Sequence, residues 1–104
     1  MSAGPIYRFG WDSNKERINI NKHDGVTFAL ASTVLHDRLA ITIFDDEHSE
    51  YEERWVSIGQ VANGQTLVVI HTFVQIDAQH VEVRLISARK ADKHERQDYE
   101  TALR

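Results

Sequence analysis

The stretch RWVSIGQVANGQTLVVIHTFV, residues 54–74, decides the fold, because it predicts a β-hairpin at the centre of a sheet. Two runs rich in apolar residues, 54–61 and 65–74, flank the dipeptide Asn63-Gly64. Asparagine followed by glycine between apolar runs is the strongest short hairpin signal, because both residues tolerate a positive φ. Leu67 to Ile70 is apolar on both faces, as expected for a central strand. The chain is therefore predicted to build its sheet around this hairpin.

The segments outside the hairpin predict further strands and three helices. Alternating or β-branched patterns predict strands at residues 6–11, 39–44 and 81–88. Helix-capping residues predict helices that begin at Ser13, with Glu16 completing a capping box, at Thr27, and at Asp92, with Glu95 in the same role. The prediction is an α+β fold in one domain, residues 1–104, after a flexible leader at 1–5. An antiparallel sheet of about four to five strands is expected, with two N-terminal helices and one C-terminal helix.

The composition excludes several classes of protein. The 104 residues include no cysteine, which excludes a disulfide framework, a thiol nucleophile and a thiolate metal site. No apolar run approaches the ~20 residues that span a bilayer, and the first residues contain no signal-peptide core. We therefore expect a cytoplasmic protein without a membrane partner.

The charge is unevenly distributed along the chain. The formal net charge is −4, and this sum disfavours a nucleic-acid partner at first sight. However, residues 45–53, which we call the acidic segment, contain six of the sixteen acidic residues and no lysine or arginine. The rest of the chain carries twelve basic and ten acidic residues, with five of the bases between Arg84 and Arg96. The body of the protein is thus weakly basic, although a charge run is often only a solvated face.

The side chains that could carry chemistry are basic residues and histidines. The six histidines lack metal-ligand spacing, so neither a metal nor another cofactor is predicted, and hydrolase and phosphate-loop motifs are absent. Arg89 and Lys90 lie at a strand–helix junction, where backbone donors favour an anion. Arg84 could instead form a cross-strand ion pair, and Lys22-His23 could only complement the C-terminus of a helix. His71, in the most apolar strand, is more often a packing residue than a catalyst.

Taken in order, several motifs resemble the BrnT family of bacterial toxins. They are Phe9-Gly10-Trp11-Asp12, Lys22-His23, Gly25-Val26-Thr27-Phe28, residues 46–55, Leu67 to Thr72, and Arg84 to Ala91 followed by Glu95-Arg96 and Tyr99. The resemblance implies a RelE-like fold and a ribonuclease toxin of a type II toxin–antitoxin pair. It also implies a BrnA-like antitoxin with a DNA-binding region of the ribbon-helix-helix type, and DNA binding only through the complex of the two proteins.

Two departures from the family pattern bear on activity. Asp24 separates His23 from Gly25, and the chain is acidic overall where such toxins are usually basic. An acid at position 24 lowers the local positive potential. A catalytically weakened or inactive toxin-like module, which acts only as the partner of a DNA-binding antitoxin, is therefore the alternative to an active ribonuclease.

The resemblance leads to a hypothesis of metal-free RNA cleavage in which cations stabilise the reacting phosphate. Arg84 and Arg89 are assigned to that phosphate, because a guanidinium meets two phosphate oxygens at once. His23 or His71 is the candidate general acid or base, with a preference for His23. Flanking phosphates of the RNA are assigned to Lys22, Arg54 and Lys90.

Overall fold

A six-stranded sheet organises the computed structural model, which describes residues 4–102. The strands are β1 (Ile6–Gly10), β2 (Ile41–Phe44), β3 (Trp55–Gln60), β4 (Thr66–His71), β5 (Val74–Gln75) and β6 (His80–Lys90). The α-helices are α1 (Ser13–Lys22), α2 (Phe28–Ser32) and α3 (Lys93–Ala102), with 3₁₀ turns at Thr33–His36 and Asp46–His48. Of the leader expected at residues 1–5, the first three residues lie outside the described range, and Gly4 and Pro5 precede β1. The predicted α+β class is confirmed.

The predicted hairpin is confirmed as the pair β3 and β4. The two strands are antiparallel, with a register that runs from Trp55 opposite His71 to Gln60 opposite Thr66. Gly64 in the turn has a φ of +86°, a conformation that glycine adopts without strain. Leu67 and Val69 are fully buried, so β4 is central as expected.

The sheet is mostly antiparallel, as predicted, but one edge pairs in parallel. The strand order is β1-β6-β4-β3-β2, and β1 runs parallel to β6, with Gly10 opposite Arg84. A parallel pair needs a long crossover, and here most of the chain lies between the two strands. This pairing brings the C-terminal end of β1 beside the middle of β6, where the site described below is formed.

The N-cap of α1 differs from the prediction, and α2 has a capping residue that was not predicted. Asp12, not Ser13, is the N-cap of α1, since its carboxylate accepts from the backbone N–H of Asn14 at 2.8 Å and of Lys15 at 3.1 Å. Glu16 does not close a capping box with Ser13; its carboxylate accepts from the N–H of Phe28 at 2.7 Å and so caps α2. The second helix, which begins after Thr27 as predicted, ends at Ser32 and continues as a 3₁₀ turn over Thr33–His36.

A buried asparagine fixes α1 along β6. The Asn19 amide donates to the carbonyl of Ala88 at 2.8 Å and accepts from the Ala88 N–H at 3.0 Å, as a neighbouring strand would. It also donates to Val26 at 3.1 Å. Because β1 ends opposite Arg84 and Asn19 lies beside Ala88, α1 runs alongside the second half of β6. The apolar core lies between this face of the sheet and α2 with its following 3₁₀ turn, which contribute Phe28, Ala31 and Val34.

The C-terminal helix begins on the opposite face of the sheet. Ala88 is buried in the core, so the next side chain along the strand, Arg89, points to the other face, where it binds Glu95 of α3. The predicted capping box forms here, since the Glu95 N–H donates to Asp92 at 2.8 Å and the Asp92 N–H donates to Glu95 at 2.9 Å. Further along α3, the Tyr99 hydroxyl donates to Asp37 at 2.6 Å. Helix α3 is therefore anchored at both ends.

Candidate active site

The largest cleft in the described part of the protein lies where β1, β6 and the acidic segment meet. Its volume is about 660 Å³. It is lined by Arg8, Phe9, Gly10, Trp11, Asp12, Glu52, Glu53, Thr72, Val74, Glu82, Val83 and Arg84. The parallel pairing of β1 with β6 brings two arginines to one cleft, and the acidic segment supplies carboxylates opposite them.

Arg84 is the predicted catalytic residue that the structure places in this cleft. Its guanidinium donates to the carboxylate of Glu52, and the guanidinium of Arg54 donates to the same oxygen at 3.4 Å. The side chain of Arg84 is 44% exposed, whereas that of Arg54 is 28% exposed. The Nε of Arg54 is buried and has no hydrogen-bond partner among residues 4–102. Arg54 therefore lies behind Glu52, and Arg84 faces the solvent of the cleft.

The cleft presents charges of both signs. Two arginines, Arg8 and Arg84, face four carboxylates, those of Asp12, Glu52, Glu53 and Glu82. Asp12 is engaged in capping α1, and the hydrogen bonds from the backbone of Lys15 and Asn14 lower its pKa. The hydrogen bond from Arg84 lowers the pKa of Glu52, so this carboxylate is ionised at neutral pH. Such a site can bind an anion at a guanidinium and can offer a carboxylate as proton acceptor beside it.

Arg89 lies away from this cleft. Its guanidinium binds Glu95 through two hydrogen bonds of 2.7 and 2.8 Å, which raise the pKa of Arg89 and lower that of Glu95 to about 2. Arg89 lies five positions beyond Arg84 on β6, at most roughly 16 Å away at the rise of a strand. The structure thus does not bring the two arginines to one phosphate, as the sequence hypothesis required.

Lys22, His23 and Lys90 lie toward the other end of β6. His23 is the C-cap of α1, four residues beyond Asn19, and Asn19 already lies beside Ala88. Lys90 is exposed at the end of β6 and lines a separate depression with residues of α3. None of these three side chains lines the cleft of Arg84.

His71 is buried in the sheet, and both of its ring nitrogens have partners. Nε2 lies 2.8 Å from the hydroxyl of Ser57, and Nδ1 lies 2.9 Å from the carbonyl oxygen of Thr72. Burial lowers the pKa of His71 below its ordinary value, which keeps the ring neutral at physiological pH. Across residues 4–102, no histidine lines the cleft.

Two residues of the site were missed in the sequence. Glu52 was counted only as part of an acidic run, although its spacing of two from Arg54 puts both side chains on one face of an extended segment. Arg8 offered no such signal, because its place in the cleft depends on the parallel pairing of β1 with β6.

Within residues 4–102, no group of three or more His, Cys, Asp or Glu side chains is placed to hold a metal ion. The helices in the same range are too short and too polar to cross a membrane.

The fold and the cleft define a class of small α+β proteins whose site presents arginines beside carboxylates. Within that class, the family model described as the ribonuclease toxin BrnT of type II toxin–antitoxin systems matches residues 11–95. The chain therefore belongs to the BrnT family of ribonuclease toxins, as its motifs indicated. Membership in a type II toxin–antitoxin family implies an antitoxin partner.

A solved structure supports the fold. The 1.1 Å crystal structure of the Brucella abortus ribonuclease toxin BrnT matches with a TM-score of 0.56 and 22% sequence identity. The match covers 85% of this chain and 99% of that chain. At this identity the similarity shows the fold alone. No curated protein sequence matches the chain.

Proposed function

We propose that this protein is an endoribonuclease toxin that cleaves RNA without a metal ion and thereby stops translation and growth. The single observation that carries the proposal is the pair of Arg84 and Glu52 in the largest cleft of a ribonuclease-toxin fold. RNA cleavage by its own 2′-hydroxyl needs a proton acceptor beside that hydroxyl and a cation beside the phosphate. Since the 2′-oxygen attacks the adjacent phosphorus, the acceptor and the cation have to be neighbours, as Glu52 and Arg84 are.

In this mechanism the 2′-oxygen forms a bond to phosphorus and the bond from phosphorus to the 5′-oxygen breaks. The 2′-hydroxyl proton goes to Glu52, and the leaving 5′-oxygen takes a proton from water. Arg84 stabilises the charge that develops on the phosphate, which is the larger contribution because Glu52, with its lowered pKa, is a weak base. Arg54 holds Glu52 in place from behind.

The remaining cations have supporting roles in the proposal. Lys22 and Lys90 bind phosphates farther along the RNA, toward the other end of β6. His23 and His71, the histidines named from the sequence, transfer no proton in this mechanism. His23 is the C-cap of α1, and both ring nitrogens of His71 are engaged inside the sheet.

The proposal extends to the partner and the compartment. The antitoxin is BrnA-like and carries a DNA-binding region of the ribbon-helix-helix type, and the hetero-oligomer of toxin and antitoxin binds the operator DNA. The complex acts in the cytoplasm. These statements rest on family membership and on the type II class that it carries.

The test is RNA cleavage by the purified chain in the presence of EDTA, with analysis of the product ends. Attack by the 2′-hydroxyl leaves a 2′,3′-cyclic phosphate and a 5′-hydroxyl, and the rate is unchanged by the chelator. Expression in cells should arrest growth and degrade RNA, and co-expression of the antitoxin should reverse both effects. Cleavage that EDTA abolishes, or products with 5′-phosphates, would contradict the mechanism.

One observation favours a second candidate, an inactive module that serves only as the antitoxin's partner. The cleft has four carboxylates against two arginines, which repels a polyanion from the site. For this candidate, expression without the antitoxin leaves growth and RNA intact, while the purified chain still binds the antitoxin. The growth assay thus separates the two candidates.

A further inference from the structure

The ladder between β4 and β6 is irregular beside the site. Ile70 lies opposite Ser87, but the next residue of β4, His71, lies opposite Leu85, so Ile86 is an extra residue on β6. Such bulges re-aim side chains and are frequent next to active sites. Arg84 is next to Leu85 on β6, just beyond the bulge, and its side chain lines the cleft.

Arg84 is paired with Thr72 in an unusual way. The Thr72 N–H donates to the Arg84 carbonyl at 3.0 Å, as in a regular antiparallel ladder. The reciprocal bond is different, because the Arg84 N–H donates to the hydroxyl oxygen of Thr72 at 2.9 Å. The Thr72 carbonyl oxygen lies instead 2.9 Å from Nδ1 of His71. The hydroxyl of Thr72 thus accepts from the Arg84 N–H in place of the Thr72 carbonyl, which accepts from the imidazole of His71.

Hydrogen bonds at both ring nitrogens hold His71 in the orientation in which it donates to the Thr72 carbonyl. A carbonyl oxygen only accepts, so Nδ1 of His71 carries the proton and Nε2 accepts from the hydroxyl of Ser57 at 2.8 Å. The oxygen of Ser57 lies 2.8 Å from the hydroxyl of Thr42, which supplies the next donor of the chain. His71 is 0%, Ser57 1% and Thr72 6% exposed, so water does not compete for these bonds.

We propose that His71 and Thr72 are positioning residues for the ribonuclease reaction, which hold the backbone of Arg84 so that its guanidinium meets the phosphate. The inference rests on the proposed function, since it assigns a role toward the arginine that acts on RNA. It differs from the sequence hypothesis, in which His71 carried a proton. A displacement of about 1 Å at a reacting group can cost ~10²-fold in rate, so two hydrogen bonds on the Arg84 backbone are sufficient to matter.

Substitutions at His71 separate positioning from proton transfer. In His71→Asn, the amide nitrogen takes the place of Nδ1 and still donates to Thr72. In His71→Gln, the amide reaches Ser57 but leaves the Thr72 carbonyl without its donor. We expect kcat for RNA cleavage to remain within about fivefold for His71→Asn and to fall ~10–100-fold for His71→Gln, with KM unchanged in both. Equal loss in both variants would overturn the proposal, as would full activity in His71→Gln.

Substitutions of threonine provide a matched control. Thr72→Val removes the hydroxyl that accepts from Arg84 at nearly constant volume, and Thr72→Ser keeps it. Thr42→Val makes the same chemical change at the exposed end of the chain of hydroxyls. We expect a ~10–100-fold loss of kcat only for Thr72→Val. Wild-type activity in Thr72→Val would overturn the assignment of Thr72.

A second readout keeps the inference testable if the chain does not cleave RNA. Amide hydrogen exchange at Arg84 reports its hydrogen bond to Thr72 directly. The Arg84 amide should exchange slowly in the wild type and in His71→Asn, and faster in His71→Gln and Thr72→Val. Inactive wild-type protein would overturn the proposed function, whereas unchanged exchange in all variants would overturn the positioning role alone.

Discussion

Arg84 in the middle of β6 and Arg89 near its C-terminal end belong to one basic run but have different surroundings. Arg89 binds a glutamate six residues away, through two hydrogen bonds, at the first turn of α3. Arg84 binds a glutamate 32 residues away, across the largest cleft, and shares it with Arg54. A bidentate pair within a helix start fixes local structure, whereas a guanidinium held by a shared carboxylate at a cleft can exchange that partner for a phosphate. On this basis we propose a catalytic role for Arg84 and a structural role for Arg89.

The largest expected effect is the loss of RNA cleavage in the variant Arg84→Ala. Removal of one group that stabilises transition-state charge costs ~10²–10³-fold in kcat, so this variant should lose nearly all activity. Its stability should change by less than about 0.5 kcal/mol, because the pair with Glu52 is partly exposed and such pairs contribute little. The measurement is single-turnover RNA cleavage, with urea unfolding of the same preparation.

Arg89→Ala is the matched control for this prediction. It should keep cleavage within about threefold and lose stability instead, since it leaves Glu95 with only its backbone partner. If Arg89→Ala abolishes cleavage in protein that is still folded, the proposed division between a catalytic Arg84 and a structural Arg89 is wrong.

The two glutamate partners extend the comparison. Glu52→Gln should lower kcat by ~10²-fold, at the lower end of the range for a general base because the lowered pKa already makes Glu52 a weak one. Glu95→Gln should leave kcat within about twofold. A faster Glu52→Gln enzyme would show that this carboxylate competes with the phosphate for Arg84, and would remove it as the proton acceptor.

The stability of the α3 end should depend on acid through Glu95. The hydrogen bond from Arg89 lowers the pKa of Glu95 to about 2, against about 4.3 for an unfolded glutamate. A lowered folded-state pKa stabilises the protein above pH ~4.3, and the contribution is lost as the pH falls toward 2. Glu95→Gln should therefore lower the free energy of unfolding by about 1 kcal/mol at pH 7. The wild type and this variant should converge near pH 2 in urea titrations. A difference that is constant with pH would contradict the ion pair as its cause.

The sequence predicted the parts of the fold that depend on neighbouring residues. The hairpin at Asn63-Gly64 and the capping box of Asp92 and Glu95 are local patterns, and both form. The parallel pairing of β1 with β6 joins segments more than seventy residues apart and has no local signature. The capping of α2 by Glu16 was likewise hidden, because a closer partner, Ser13, suggested a local role.

The site followed the same division. Arg84 and Arg89 were assigned to the phosphate together, because both carry a guanidinium and both belong to one basic run. Only the tertiary structure distinguishes a guanidinium that faces a cleft from one that closes a helix turn. The apolar pattern of β4 already favoured a packing role for His71, but its hydrogen bond to Ser57 depends on β3 and could not be inferred from β4 alone.

The smallest predicted effect concerns the other anchor of α3. The Tyr99 hydroxyl donates to Asp37, and burial together with this bond raises the pKa of Tyr99 to about 12. Tyr99→Phe should lower the free energy of unfolding by about 1 kcal/mol, a decrease of roughly 4–8 °C in Tm for a domain of this size. A raised pKa stabilises the folded state below pH ~10, and the contribution is lost as the pH rises toward 12. The variant should therefore lose less stability than the wild type as the pH rises from about 10 to about 12 in thermal unfolding. Cleavage should be unaffected, because Tyr99 acts at the Arg89 end of β6; a fall in kcat would mean that α3 also holds the cleft of Arg84.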